Sequence, residues 1–118
     1  MPGKLVNNLG IVTIDDHVLA SIAGVSAMEC YGLVGMAAKS TAGGLVELLK
    51  RDQLSKGVKV QTEEDEIVID LFVIVEFGTR ISVVATNIIE KVKYNIENLT
   101  GMSVKKVNIN VQGVRVQK

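Results

Sequence analysis

The residues of this chain that carry chemically reactive side chains are few and stand apart. The single histidine, His17, follows Asp15 and Asp16 directly, and the single cysteine, Cys30, lies further along the chain. A hydrolase or transferase needs a nucleophile, a base and a group that orients the base. Since no such set is evident, we interpret His17 as an exposed residue in the first turn of a helix and predict no catalytic residues.

The sequence also lacks the patterns of metal and cofactor sites. One cysteine excludes an internal disulfide and any cysteine-based metal cluster. Because Cys30 lies in an apolar stretch, we predict a buried and unreactive thiol. The acidic run at 63–66 lacks the glycine and the ligand spacing of a calcium loop, and is typical of a solvated hairpin turn. We therefore predict no metal, no cofactor and no small-molecule substrate.

Two glycine-containing motifs between residues 32 and 40 are similar to nucleotide-binding sequences. The run GLVGMAAKS is similar to a phosphate-binding loop, but Ala38 stands where that loop has the glycine before its lysine. Its first four residues have the glycine spacing of a K-homology RNA-binding loop, yet Leu33 and Val34 are apolar. RNA binding is thus a weaker alternative, and we first interpret these glycines as serving a tight turn and close backbone packing.

Composition argues against nucleic acid and against a membrane span. The 13 basic and 13 acidic residues give a net charge of zero, and aromatic residues make up only 3% of the chain. Nucleic-acid readers usually show a basic excess or aromatic faces for base stacking. The N-terminus has no apolar core of a signal peptide, and the uncharged run His17–Met28 is shorter than the ~20 residues that span a bilayer. These features favour a cytoplasmic protein.

Hydrophobic periodicity predicts one α+β domain over residues 1–118, with two main helices on one face of a small mixed sheet. Asp15 or Asp16 is expected to cap the first helix, Gly24 to allow a close neighbour, and Gly101 to end the second main helix. The segment KLVNNL, which precedes the strand at 10–14, is expected either to lengthen that strand or to lack regular structure. The predicted order is β-α-(short α)-β-β-α-β: a strand at 10–14, a helix at 15–30, a loop or extended piece at 32–37, a short helix at about 44–54, strands at 57–62 and 67–77, a helix at 79–101, and a strand at 104–116.

The strand at 67–77 is the centre of this prediction. Its alternate apolar residues from Ile67 to Phe77 share one face, and Val68, Phe72 and Ile74 add apolar bulk to the other. A strand that is apolar on both faces is typical of a central position, covered on both sides.

The last strand has two interpretations. It is either an amphipathic strand whose valine and isoleucine side chains face the core, or an exposed edge that pairs with another chain. Gly113 suggests a bulge that shifts the following valines to the opposite face. Asparagine and glutamine occupy the polar face, in place of the lysine or proline that usually blunts an edge. The candidate interaction surface is Asn108, Asn110, Gln112, Val114 and Val116.

The order of these segments resembles the alkaline shock protein family of Gram-positive-type bacteria, also called the envelope stress response family. The matching stretches are GIVTIDDHVLASIAGVSAMECYGLVGM and GVKVQTEEDEIVIDLFVIVEFGTRISVVATNIIEKVKYNIENLTGMSVKKVNINVQGV, which together cover most of residues 10–114. The most specific parts are IAG in the first helix, IDLFVIVEFG, and TGMSVKKVNINVQGV.

The resemblance implies a short, non-enzymatic cytoplasmic protein that serves cell-envelope homeostasis by self-association and partner binding. Some members are thought to gather at the inner face of the membrane through a protein partner. The resemblance transfers no catalytic residues. It also implies an alternative, since short members tend to be encoded beside a kinase of the dihydroxyacetone or fatty-acid kinase type: an accessory role to such a kinase.

Overall fold

A computed structural model describes residues 3–38, 48–63 and 65–116 of the chain. Two helices and six strands follow one another, with one short 3-10 helix between the third and fourth strands. They are β1 (Gly3–Asn7), β2 (Gly10–Ile14), α1 (Asp16–Met28), β3 (Leu33–Met36), the 3-10 helix (Arg51–Gly57), β4 (Val58–Glu63), β5 (Glu66–Glu76), α2 (Ile81–Thr100) and β6 (Val104–Arg115).

Strand β5 is the centre of the main sheet. β6 pairs with it in parallel, from Ile67 opposite Val104 to Glu76 opposite Arg115. Because β6 occupies one edge of β5 along this whole length, β4 and β3 share the other edge, both antiparallel to β5. The predicted mixed sheet with a central strand at this position is confirmed.

The core lies between one face of β5 and the two helices, which confirms the predicted α+β arrangement. The side chains of α1 and α2 that contact this face recur at helical spacing, so each helix presents one apolar stripe to the sheet. Val68 and Ile74, on the other face of β5, are also buried. The core residues of these three elements are Ile67, Ile69, Leu71, Val73 and Val75 of β5, Leu19, Ala20, Ala23 and Ala27 of α1, and Val84, Ile88, Val92 and Ile96 of α2.

The helix ends follow the sequence closely. The Asp15 side chain accepts a hydrogen bond from the backbone N–H of His17 at 3.3 Å, which caps α1 as expected. Gly101 has φ 76° and its N–H donates to the Glu97 carbonyl oxygen, so it ends α2 in the left-handed conformation that glycine adopts easily. A Cβ on Gly24 would lie 3.0 Å from Leu54 Cβ, which confirms the expected close neighbour of α1.

The extended alternative for 32–37 is confirmed, because this segment contains strand β3, which pairs with β5. Two other expectations about the strands and helices are wrong. Phe77 lies beyond the end of β5 with 69% of its surface exposed. The helix expected at about 44–54 lies partly outside the described residues. Within them, the N–H of Leu49 bonds to the carbonyl oxygen of Met36, which holds this part extended until the 3-10 helix begins at Arg51.

The segment before β2 forms a strand of its own. β1 pairs antiparallel with β2, from Gly3 opposite Ile14 to Asn7 opposite Gly10, and Asn8 and Leu9 make the turn. In the part of the chain that the structure describes, this hairpin forms a two-stranded sheet separate from the main sheet.

Two glycines with positive φ provide a test of the packing. Any side chain added at Gly32 (φ 88°) or Gly78 (φ 93°) would strain the backbone. Only at Gly32 would the added Cβ also collide with a neighbour, because it would lie 2.6 Å from a methyl carbon of buried Val84. We expect Gly78→Ala to lower the free energy of unfolding by roughly 1 kcal/mol and Gly32→Ala by roughly 3 kcal/mol, measured by urea denaturation. Equal losses in the two variants would contradict the packing described for Val84.

Candidate interaction surface

Strand β6 is an edge strand of the main sheet. It pairs with β5 on one side, and no other strand of the described ranges pairs with it. Its register shifts twice, between Ile67 and Val68 and between Val73 and Ile74 of β5, and each shift places an extra residue in β6. Between these two bulges, Lys106–Val111 is regular, and a regular unpaired edge is a template for pairing with another chain.

The structure places Asn108 and Asn110 on the face of the sheet away from the helices, beside Asp70 and Phe72 of β5. The Asn108 side-chain amide donates a hydrogen bond to Asp70 Oδ1 at 2.8 Å, and that of Asn110 donates to the Leu71 carbonyl oxygen at 3.2 Å. These side chains therefore fix β6 to β5, and what β6 offers outward is the backbone of its free edge.

The other three predicted residues lie at and beyond the second bulge. Gln112 is exposed at the bulge itself, and Val116 follows the end of β6 with 69% of its surface exposed. The expected bulge is present, but the expectation that it carries Val114 to the opposite face is wrong. Because the bulge adds one residue to β6, Val114 pairs with Val75 of β5. The Val75 side chain lies on the core face, and Val114 lies on the same face. The five residues thus lie on both faces of the strand.

The sequence reasoning missed the outward side of α1. No charged residue lies between Asp16 and Glu29, and Val18, Val25 and Met28 on this helix are each about half exposed. Such a helix is usually covered, because a solvated face normally carries charges. The uncharged run His17–Met28 indicates this surface, because a helix without charges leaves apolar residues on its outward side. The length of the run by itself argues only against a membrane span.

A groove of about 390 Å³ runs between α1 and α2 on this side. Ile22, Val25 and Leu99 supply its apolar walls. At its floor the Asn95 amide donates to the Ser26 hydroxyl at 2.8 Å, and that hydroxyl donates to the Ile22 carbonyl oxygen at 2.6 Å. The Asn95 amide nitrogen and the Ser26 hydroxyl are thus bonded within the floor, and Ser21 and Glu29 complete the lining of a mainly apolar groove.

The remaining reactive residues are placed as follows. His17 is exposed at the start of α1 and lines, with Ser55 and Lys59, a shallow cavity of about 280 Å³. Among residues 3–38, 48–63 and 65–116, no three His, Cys, Asp or Glu side chains are grouped so as to hold a metal ion. Neither α1 nor α2 is long and apolar enough to cross a membrane, in the region that the structure covers.

The glycine-containing motif does not form the loop that RNA binding would need. Leu33–Met36 is strand β3, paired with β5, and Gly32 and Gly35 make room for side chains of Val84 and Leu48. The structure therefore favours the packing role of these glycines. Lys39 and Ser40 of the phosphate-loop-like sequence lie outside the described residues.

Cys30 is half-buried, where the sequence analysis predicts a buried thiol. Its thiol lies 3.7 Å from the Ser26 carbonyl oxygen and 3.9 Å from that of Asn87, beyond the end of α1 where solvent still reaches it. Burial raises the pKa of Cys30; Lys91 opposes this shift and Glu29 adds to it. The thiol is therefore protonated at neutral pH, the state in which it is a poor nucleophile.

The edge strand β6, the hairpin β1–β2 and helix α1, which has no charged residue between Asp16 and Glu29, belong to a small sheet-and-helix protein. The chain belongs to the alkaline shock protein 23 family, with a cell envelope-related function, and the match covers residues 4–116. This confirms the family resemblance, and extends it on both sides of residues 10–114.

Relatives of known sequence span nearly the whole chain. YloU of Bacillus subtilis (strain 168) is 46% identical over 114 residues, which cover 96% of this chain and 95% of YloU. YqhY of the same organism is 35% identical over 108 residues, covering 92% of this chain and 79% of YqhY. A stress response regulator gls24 homolog of Streptococcus pyogenes serotype M3 is 23% identical over 109 residues, which cover 92% of this chain and 61% of the homolog. No solved structure matches the chain significantly.

The pKa of Cys30 gives a test of its surroundings. Alkylation by iodoacetamide, followed against pH, should reach half of its maximal rate at a higher pH in the native chain than in the urea-unfolded chain. Lys91→Gln should move the native midpoint further up and Glu29→Gln should move it down, because these charges act on the thiolate in opposite directions. A native midpoint below that of the unfolded chain would contradict the burial of this thiol.

Proposed function

We propose that this protein is a non-enzymatic structural component of cell-envelope homeostasis, which acts in the cytoplasm by self-association and by binding protein partners. One such partner would hold it at the inner face of the membrane. The proposal involves no nucleic acid, cofactor or small-molecule substrate. It refines the cell envelope-related function of the family into a mode of action.

The observation that carries this proposal is the unpaired edge of β6. A regular edge of six residues without proline, and with lysine only at its first position, is a feature that proteins usually blunt or cover. The uncharged outward side of α1 adds apolar surface that is better covered than solvated. Both features support a protein whose activity is contact with other chains.

Light scattering over a concentration series tests self-association. The wild-type mass should rise with concentration, while Val111→Lys should stay at the mass of one chain, because a lysine on the regular part of β6 opposes strand addition. Val83→Lys is the matched control: Val83 is 48% exposed on α2, and its substitution should leave association unchanged. If both variants associate equally, strand β6 does not carry the self-association.

A pull-down from a lysate of the native organism tests partner binding. We expect the tagged chain to retain envelope-associated proteins. Retention of a dihydroxyacetone- or fatty-acid-type kinase, with a change in its rate on adding this protein, would favour the accessory role instead. A strict monomer that retains no partner would contradict the proposed function.

A further inference from the structure

The hairpin β1–β2 presents apolar side chains on both of its faces. Adjacent strand residues point to opposite faces, and Ile11 and Val12 are 64% and 48% exposed. Leu9, in the turn, is 99% exposed. A two-stranded hairpin is marginally stable by itself in water. The hairpin therefore gains stability from any strand that covers its open edge.

The open edge of β2 is defined by the ladder with β1. Two residues, Asn8 and Leu9, make the turn, so Asn7 and Gly10 form the closing pair. Hydrogen-bonded pairs alternate along an antiparallel ladder. The backbone groups of Ile11 and Thr13 accordingly point away from β1, toward the open edge.

The open edge of β6 follows from its ladder with β5 in the same way. The N–H of Phe77 bonds to the carbonyl oxygen of Arg115, whereas the carbonyl oxygen of Phe72 accepts from Ala37, next to β3. Odd-numbered residues of β5 thus bond to β6 and even-numbered ones to the opposite edge. In a parallel ladder this leaves the N–H and C=O groups of Val107, Ile109 and Val111 pointing outward.

The charges at the ends of these two edges are complementary. β6 contains Lys105 and Lys106 at its start and no acidic residue, while β2 is followed at once by Asp15 and Asp16. Lys105 already lies 3.8 Å from Glu63 of β4, so the attraction to a second copy falls mainly to Lys106. If β2 runs antiparallel to β6, the acidic end of β2 meets the basic start of β6. Pairing of β6 with a second β6 would instead bring together two strands that carry only positive charges, which disfavours it.

We propose that β2 of one copy adds to the free edge of β6 in a second copy. In the antiparallel register that matches the outward backbone groups, Ile11 lies beside Ile109, Thr13 beside Val107, and Asp15 near Lys105. The surfaces differ, so the contact is head-to-tail and each added copy offers a new β6 edge. This inference rests on the proposed self-association and specifies the surfaces that carry it.

Disulfide formation between differently tagged full-length chains tests the register. In a Cys30→Ser background, a mixture of Ile11→Cys and Ile109→Cys chains should form a crosslinked dimer on oxidation, because directly opposite residues lie within disulfide reach. The matched control is Val12→Cys with Ile109→Cys. Val12 is one residue away but faces the other side of the hairpin, so the Ile11→Cys mixture should give at least about tenfold more product.

Three results of this experiment would overturn the inference. They are equal crosslinking of the Ile11→Cys and Val12→Cys mixtures, crosslinking of Ile109→Cys with itself, and no crosslinking in a mixture that light scattering shows to be associated. In each case the proposed self-association survives. A chain that is monomeric at every concentration would end both the inference and the proposed function.

A charge substitution provides a second measurement that does not alter the half-buried Ile109. Lys106→Glu should weaken association at low salt at least about fivefold, since it places a negative charge near Asp15 and Asp16 of the next copy. Lys93→Glu, the same change on the exposed side of α2, should leave association unchanged. Stronger association of Lys106→Glu would show that β6 pairs with β6 and would overturn the inference.

Discussion

The packing of alternate β5 side chains against α1 and α2 is the interaction on which the rest of the structure depends. Each of these side chains, from Ile67 to Val75, is almost completely removed from water. Burial of a side chain of this size contributes roughly 1.5–3 kcal/mol. Both edges of β5 are also used, so its backbone holds β3, β4 and β6 in fixed register while its side chains hold the helices.

That arrangement determines what remains at the surface. One face of the sheet holds α1 and α2, and one edge of β5 holds β6. The outer edge of β6 therefore has no partner strand among the described residues. α2 carries its charged residues outward, with Val83 and Leu99 also exposed, whereas α1 has no charged residue between Asp16 and Glu29 and exposes Val18, Val25 and Met28. The surfaces that we propose for contact are therefore those that the core does not use.

The elements that the sequence predicts well are those whose pattern is local. The stripe of α2, the cap at Asp15, the end at Gly101 and the hairpin β4–β5 each depend on residues a few positions apart. The wrong predictions have two causes: a contact between residues that are distant in sequence, and a bulge that changes the face on which the following side chains lie. The bond from Leu49 to Met36 replaces helix by extended chain, and the extra residue near Gln112 reverses the expected face of Val114. The edge position of β6 is one of the two interpretations that its sequence allows. The uncharged run His17–Met28 indicates an open face of α1, but which residues lie on that face follows only from the position of the core.

The parallel pairing of β5 with β6 also has a consequence for how the chain folds. β4 and β5 are neighbours in sequence, so their ladder can close through a short turn, whereas α2 separates β5 from β6 and their ladder closes a longer loop. Until that ladder forms, the odd-numbered backbone groups of a long apolar strand stay open. Unpaired strand edges of this kind promote aggregation of partly folded chains. A partly folded chain in which β5 has formed and β6 has not yet paired therefore exposes this edge.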